Sequence, residues 1–317
     1  MTNTFQPTDD ALLQLARALR ATNYRFTTVT PATHERVNAR LQNTWARDLA
    51  DVFGWSRPFH SDIVPPHIWE LMQRAEVVER HDAERHEEGW RSRVRFSSLD
   101  GQLFVHSAYP TVDADAVFFG PDTYRYTGAL KHHFATDSRP VQRAVDIGCG
   151  AGPGAILTAA NYPCAQVLAV DINHQALRFA RINAALAEVE VEACHSNLLS
   201  DVSGQFDLMV ANPPYLVDPS ERTYRHGGGP LGAGLSLAIV DAALERLAPN
   251  GTLLLYTGVA MVDNSDPFRS EIERRLPAHI CWSYQEIDPD VFGEELLSGV
   301  YTQSDRIAAV VLTITKR

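Results

Sequence analysis

The sequence predicts an α/β fold. A seven-stranded sheet, parallel except for its last strand, is covered by helices on both faces and preceded by a helical domain and a β-hairpin. Three observations carry this expectation. From residue 142 onward, short apolar runs alternate with helical segments, the rhythm of parallel strands joined by crossover helices. The first of those strands runs directly into a glycine-rich turn, Gly148 to Gly154. The first eighty residues show helical spacing, and the pattern switches to a period of two near residue 93. The expected division is a helical domain over 1–88, a hairpin linker over 89–114 and an α/β domain over 115–317.

Each element has its own signal. Thr8-Asp9 is a capping signal, and Leu12, Leu15, Ala16 and Leu19 then mark one helical face. Thr30-Pro31 opens a second helix, because proline suits the first turn. Val37, Leu41, Trp45, Leu49 and Phe53 recur about every four residues and extend it. Pro65-Pro66 introduces a third helix with Ile68, Trp69, Met72 and Ala75. Glu79 to Glu88, with His81 and His86, reads as a solvated helix end or linker rather than a metal site. Arg93 to Phe96 and Gln102 to Ala108 alternate around Leu99-Asp100-Gly101, a hairpin. Gly120-Pro121-Asp122-Thr123 leads into a helix through Leu130. Strands follow at 144–147, 165–170, 189–194, 206–211, 251–256, 280–286 and 307–315, and helices at 153–161, 174–187, 235–247 and 268–276. Only a short segment separates the last two strands, which suits an antiparallel final strand.

The 317 residues carry a formal charge of −11, with 26 arginines and only two lysines, Lys131 and Lys316. This excludes a polybasic nucleic-acid coat and a disordered tail, but a local arginine patch remains compatible with it. Cys149, Cys164, Cys194 and Cys281 form no close pair and are expected to be buried free thiols. Met1 to Asp10 lack an apolar leader core, and no run approaches the roughly 20 apolar residues of a membrane span. The expectation is a cytoplasmic protein with no membrane contact and no metal site.

The glycine turn reads Val145-Asp146-Ile147-Gly148-Cys149-Gly150-Ala151-Gly152-Pro153-Gly154. Glycines allow a sharp turn and close backbone approach, and the helix after it offers free N–H groups to an anion. A dinucleotide fingerprint begun at Gly148 would need glycine at 153, which is Pro153. A phosphate loop would need Gly-Lys-Ser/Thr, and no lysine is near. Asp171, at the end of the second strand and 23 residues after Gly148, can accept from two ribose hydroxyls, while Asn173 is the better helix cap.

The fourth strand, Phe206 to Ala211, ends in Asn212-Pro213-Pro214-Tyr215. Two prolines stop the strand and leave no N–H on either residue. The Asn212 side-chain oxygen and the Pro213 carbonyl can then accept two N–H bonds from a planar amino or amide group and aim its lone pair. Tyr215 offers an aromatic face to a flat substrate group.

These motifs resemble the amino-methyltransferase branch of the class I S-adenosylmethionine (SAM) methyltransferases, with their Rossmann-like sheet. The branch spans N6-adenine and guanine-N2 nucleic-acid enzymes and HemK/PrmC-type protein-glutamine N5-methyltransferases, and the resemblance covers about residues 115–317. It implies that Asn212 and Pro213 hold the target nitrogen and that Tyr215 packs on the substrate. It implies that Asp146, Gly148, Gly150, Gly152, Asp171, Ile172, Asn197, Leu198, Asn212 and Thr123 surround SAM. Phe119-Gly120-Pro121-Asp122-Thr123 is similar to a stretch that helps close the cofactor pocket in the glutamine enzymes. Two departures are that Asn197-Leu198 stands where those enzymes carry Asp-Leu, and that their Gly-x-Pro-x-x-Tyr stretch is missing from the hairpin. The glycine-rich run Tyr224 to Gly234 is either a lid or a surface connection.

The expected function is SAM-dependent methyl transfer to an amide or amino nitrogen, with protein glutamine as the leading acceptor. A small metabolite and an RNA or DNA base amino group are the alternatives, and a SAM-binding protein without turnover is the reading from another class. The oligomeric state is left open.

Overall fold

The structure is a computed structural model and describes residues 5–82, 88–297 and 299–317. Helix α1 (Pro7–Ala21) buries Leu12, Leu15, Ala16 and Leu19 as its spacing requires, but begins ahead of Thr8, with Asp9 and Asp10 in its first turn. Helix α2 (Pro31–Asn38) starts at Thr30, whose hydroxyl accepts from Thr33 N at 3.3 Å.

The expected continuation to Phe53 does not form. α2 stops at Asn38, and α3 (Leu49–Phe53) is a separate helix capped by Asp48, which accepts from Asp51 N at 2.8 Å. The break has a polar cause. Asn43 Nδ2 donates to the carbonyl of Val37 at 2.7 Å, and Arg47 and Arg57 converge on the Asp51 carboxylate. Leu41, counted toward an apolar stripe, is 93% exposed. Helix α4 (Pro66–Arg74) buries Ile68 and Met72 completely.

Two hairpins follow. β1 (Val78–Asp82) pairs antiparallel with β2 (Glu88–Ser92), so the start of the charged run is a strand and not a helix end. Backbone pairing needs no apolar alternation, and a strand of Glu, Arg and His residues carries no period-two signal. His86 lies outside the described residues. β3 (Val94–Leu99) and β4 (Gln102–Ser107) form the expected hairpin, turning through Asp100 and Gly101 at φ +49° and +78°.

The remaining chain runs α5 (Pro121–Thr136), β5 (Arg143–Ile147), α6 (Pro153–Asn161), β6 (Gln166–Asp171), α7 (His174–Ala187), β7 (Glu192–His195), β8 (Phe206–Ala211), α8 (Gly234–Arg246), β9 (Leu247–Met261), α9 (Pro267–Arg275), β10 (Ile280–Asp288) and β11 (Arg306–Lys316). The seven-stranded sheet has the order β10-β11-β9-β8-β5-β6-β7. β11 is antiparallel to both neighbours, β9 and β10, as the missing crossover helix predicts. The chain leaves β5 toward β6 and β7, then returns to β8 on the other side. A crevice therefore opens at the carboxyl ends of β5 and β8.

The front of the chain is anchored to this sheet by α7. Arg178 pairs with Asp9 of α1, and Asn183, 1% exposed, accepts from Val105 N at 2.8 Å while donating to the carbonyls of Val105 and Ala151. Asn183 thus ties the β3–β4 hairpin to the glycine turn. All four cysteines are free, but only Cys149 is buried; Cys164 is exposed, because it sits in the α6–β6 turn, and Cys194 and Cys281 are half-buried.

Candidate active site

The glycine turn leaves β5 with three left-handed backbones, Gly148, Gly150 and Gly152 at φ +69°, +52° and +84°. The N–H groups of Gly148 and Cys149 both reach the carbonyl of Val170, at 2.9 and 3.0 Å, which lashes the turn to β6. A Cβ at Gly148 or Gly150 would project into open space, whereas one at Gly152 would lie 3.1 Å from Ala180 Cβ. The first two glycines therefore make a cradle, and the third lets α6 approach α7. Gly152 is also the one predicted site residue that does not line the cavity.

Asp146 sits beneath the turn, 2% exposed, accepting from Ala155 N at 2.9 Å and the Tyr126 hydroxyl at 3.2 Å. Burial outweighs these bonds and pushes its pKa up to about 7. Asp171 bridges two segments: Oδ2 accepts from Gly150 N at 3.0 Å and Oδ1 from Asn173 N at 2.9 Å. Burial raises its pKa as well. Asn173 caps α7, accepting from Gln175 N at 2.9 Å, as its position predicts. Ile172, 50% exposed, stands at the cavity beside Asp171, and Asn197 and Leu198 line the same wall.

Asn212 to Tyr215 close the other end of this cavity. Asn212 lines the cavity, and its carboxamide has no hydrogen-bond partner among the described residues. Tyr215 is different. It is 6% exposed, its hydroxyl donates to Asp122 Oδ2 at 2.6 Å, and its ring lies so close to Gly258 that a Cβ there would come within 2.1 Å. Tyr215 is a fixed wall with little face to spare. Thr123 caps the first turn of α5, its hydroxyl accepting from Gly120 N at 3.2 Å, and lines the cavity beside Asp122.

The cavity, of about 220 Å³, has further walls outside the glycine turn and the tetrad. Pro31 and Thr111 come from the front of the chain, and Phe118, Tyr224, Arg225 and Phe292 complete the rim. The glycine-rich run after the tetrad is a built wall: Gly227 N donates to Leu216 O at 2.8 Å, and a Cβ at Gly232 would stand 2.1 Å from the carbonyl of Tyr215. Tyr224 stacks on Phe118 at 5.9 Å and donates to the carbonyl of Thr111 at 2.9 Å.

The residues suit SAM. The open glycine cradle admits a close-fitting backbone ligand. The Asp171 carboxylate has acceptor capacity left after its two N–H bonds, and exposed Ile172 supplies an apolar surface next to it. The strand order, the glycine turn on β5 and the Asn-Pro-Pro-Tyr end of β8 define the class, a Rossmann-like methyltransferase fold. Residues 115–261 match the family model of the methyltransferase small domain.

The release factor glutamine methyltransferase of Deinococcus radiodurans is 34% identical over 176 residues, which is 52% of this chain and 62% of that protein. The ribosomal protein uL3 glutamine methyltransferase of Neisseria gonorrhoeae is 35% identical over 130 residues, 37% of this chain and 43% of that one. The tRNA1(Val) (adenine(37)-N6)-methyltransferase of Aeromonas hydrophila is 36% identical over 132 residues, 38% of this chain and 54% of the relative. The chain thus spans about half the length of the curated relatives it matches.

Proposed function

We propose that this protein transfers the methyl group of SAM to the side-chain amide nitrogen of a protein glutamine. The observation that carries the reading is the unspent carboxamide of Asn212, at the carboxyl end of β8 and in one cavity with the glycine cradle and Asp171. Gly148 and Gly150 admit the cofactor, Asp171 accepts from its ribose, and Ile172, Asn197, Leu198 and Thr123 enclose it, with Asp146 supporting the turn. The bound cofactor supplies an electrophilic methyl on a sulfonium.

Asn212 Oδ1 and the Pro213 carbonyl accept the two N–H groups of the target amide and hold its nitrogen toward that methyl. Both dipoles also favour the positive charge that develops on nitrogen. Transfer would form an N–C bond at the expense of the cofactor's S–C bond, which would leave a neutral thioether, and one amide proton would pass to water. No side-chain base is needed, because an alkylated amide nitrogen is strongly acidic.

An amide is favoured over a nucleobase by Tyr215. A purine held by stacking needs an open ring face, and this ring is 6% exposed, packed on Gly258 and tethered to Asp122. The acidic total charge points the same way, since phosphate binding leans on clustered cations. A protein acceptor of this kind is part of the translation apparatus in the relatives' names, and the reading puts the enzyme in the cytoplasm with it.

The test uses labelled SAM with an unmethylated peptide-chain release factor, and separately with total RNA and a metabolite fraction. Label should enter the release factor at glutamine, and Asn212→Ala should abolish transfer while SAM affinity is retained. Label in RNA or in small molecules would overturn the acceptor class, and transfer by Asn212→Ala at the wild-type rate would overturn the site.

A further inference from the structure

The two prolines of the tetrad have no N–H, so neither residue 213 nor 214 can donate a ladder bond. Tyr215 ties the segment to its surroundings through its side chain. Its hydroxyl donates to Asp122 Oδ2 at 2.6 Å, its ring rests on Gly258, and it meets the Phe292 ring edge-on with centroids 5.8 Å apart.

Asp122 is itself immobilised from several sides. The Tyr256 hydroxyl donates to Oδ1 at 2.6 Å and Arg125 Nη1 lies 3.2 Å from the same oxygen. Arg125 Nη2 in turn pairs with Asp288 of β10 at 2.8 Å. Asp122 is 6% exposed and lies in the first turn of α5, where the helix dipole favours a carboxylate. Three charge-assisted bonds on one buried carboxylate make a rigid post. It joins the start of α5, the end of β8 and the middle of β9.

We propose that Asp122 is a positioning residue for methyl transfer: through Tyr215 it sets the backbone that aims the Pro213 carbonyl at the acceptor nitrogen. This rests on the proposed reading of Asn212 and Pro213 as the ligands of that nitrogen. Asp122 acts on the tetrad from behind Tyr215, so its loss should change the rate of transfer rather than the affinity for SAM.

Asp122→Asn preserves shape, but leaves one oxygen to accept and turns an N–H toward a tyrosine hydroxyl. With labelled SAM and an unmethylated release factor, kcat should fall about 10²-fold, the scale expected for a misplacement of about 1 Å. SAM affinity by calorimetry should be unchanged. Tyr215→Phe should lose a similar factor, and the double variant should be no slower than the slower single one, because both remove one bond.

An acceptor-free readout runs in parallel. In protein labelled with ¹³C-proline, the resonances of Pro213 and Pro214 should move in Asp122→Asn and in Tyr215→Phe alike. Additive losses in the double variant, SAM affinity falling in step with kcat, or proline resonances that stay in place would each overturn the proposal. If the prolines move while the wild-type protein leaves the release factor unmethylated, the acceptor reading fails and the role of Asp122 in holding the tetrad stands.

Discussion

Replacing Asp171 with alanine should uncouple the glycine turn from β6 and remove the acceptor for the cofactor ribose. An ionised carboxylate has about four acceptor positions on its two oxygens. The backbone N–H groups of Gly150 and Asn173 occupy one on each, at 3.0 and 2.9 Å. One position per oxygen remains, which matches the two vicinal hydroxyls of a ribose. A hydrogen bond to a charged group contributes about 1.5–3 kcal/mol, so two of them amount to about 3–6 kcal/mol. That corresponds to a SAM dissociation constant raised about 10²- to 10⁴-fold.

The same substitution strands two backbone N–H groups at the cavity edge, where water can reach them, so the fold should lose only about 1–2 kcal/mol. Titration calorimetry and a urea melt on the same preparation separate the two effects. Asp171→Asn, which keeps one oxygen, should fall between wild type and alanine. A dissociation constant for Asp171→Ala within about threefold of wild type, a difference under about 0.7 kcal/mol, in a variant that melts normally would refute the ribose assignment.

Gly232→Ala should impair transfer without touching the cofactor end: the backbone is left-handed at φ +81°, and the new Cβ would stand 2.1 Å from the Tyr215 carbonyl. The backbone conformation alone costs about 1–2 kcal/mol, so a urea midpoint and a transfer rate both equal to wild type would contradict this packing. Asp146 gives a pH signature. Its folded-state pKa of about 7 lies above the ordinary 3.8, so the folded protein holds this proton more tightly than the unfolded chain. Its contribution is therefore fully present at and below about pH 4 and is lost as pH rises toward 7, at up to about 1.4 kcal/mol per pH unit. Asp146→Asn in the absence of SAM should lack that decline, gaining on wild type between pH 4 and 7 and keeping a constant lead above. Stability curves that run parallel over the whole range would show that Asp146 is not a buried, proton-holding carboxyl.

The second half of the chain was legible because each of its elements carries two concordant signals. β5, β6, β8 and the part of β9 from Gly251 onward are mostly buried because helices cover both faces, and glycine, proline or asparagine marks most of their ends. The front was legible only where burial is one-sided, as in α1 and α4. Val37 to Phe53 has helical spacing, yet Asn43 and Asp48 offer side-chain bonds that compete with the helix backbone, and these won. In the site, the glycine turn and the tetrad are contiguous, so a local reading finds them. The contacts that hold them are not: Asp122 meets Tyr215 across 93 residues and Tyr256 across 134. No spacing rule reports a bond of that kind. The sequence marks Asp122 only as part of the stretch that leads into α5, and Tyr256 only as the end of an apolar strand.

This division of labour bears on how acceptor choice is made. The matched domain, residues 115–261, ends short of Phe292 and begins after Pro31 and Thr111. All three residues are nonetheless part of the cavity wall. Relatives named for a glutamine and for an adenine acceptor match this chain over 130 and 132 residues. On the proposed reading, acceptor choice depends on what surrounds Asn212. Here that surround is a tethered Tyr215 and a wall in which Tyr224 is fastened to Thr111 and Phe118. Pro31 and Thr111 line the same cavity as Asn212. The front of the chain therefore supplies part of the cavity that contains the tetrad, even though the chemistry proposed for the tetrad needs none of its residues.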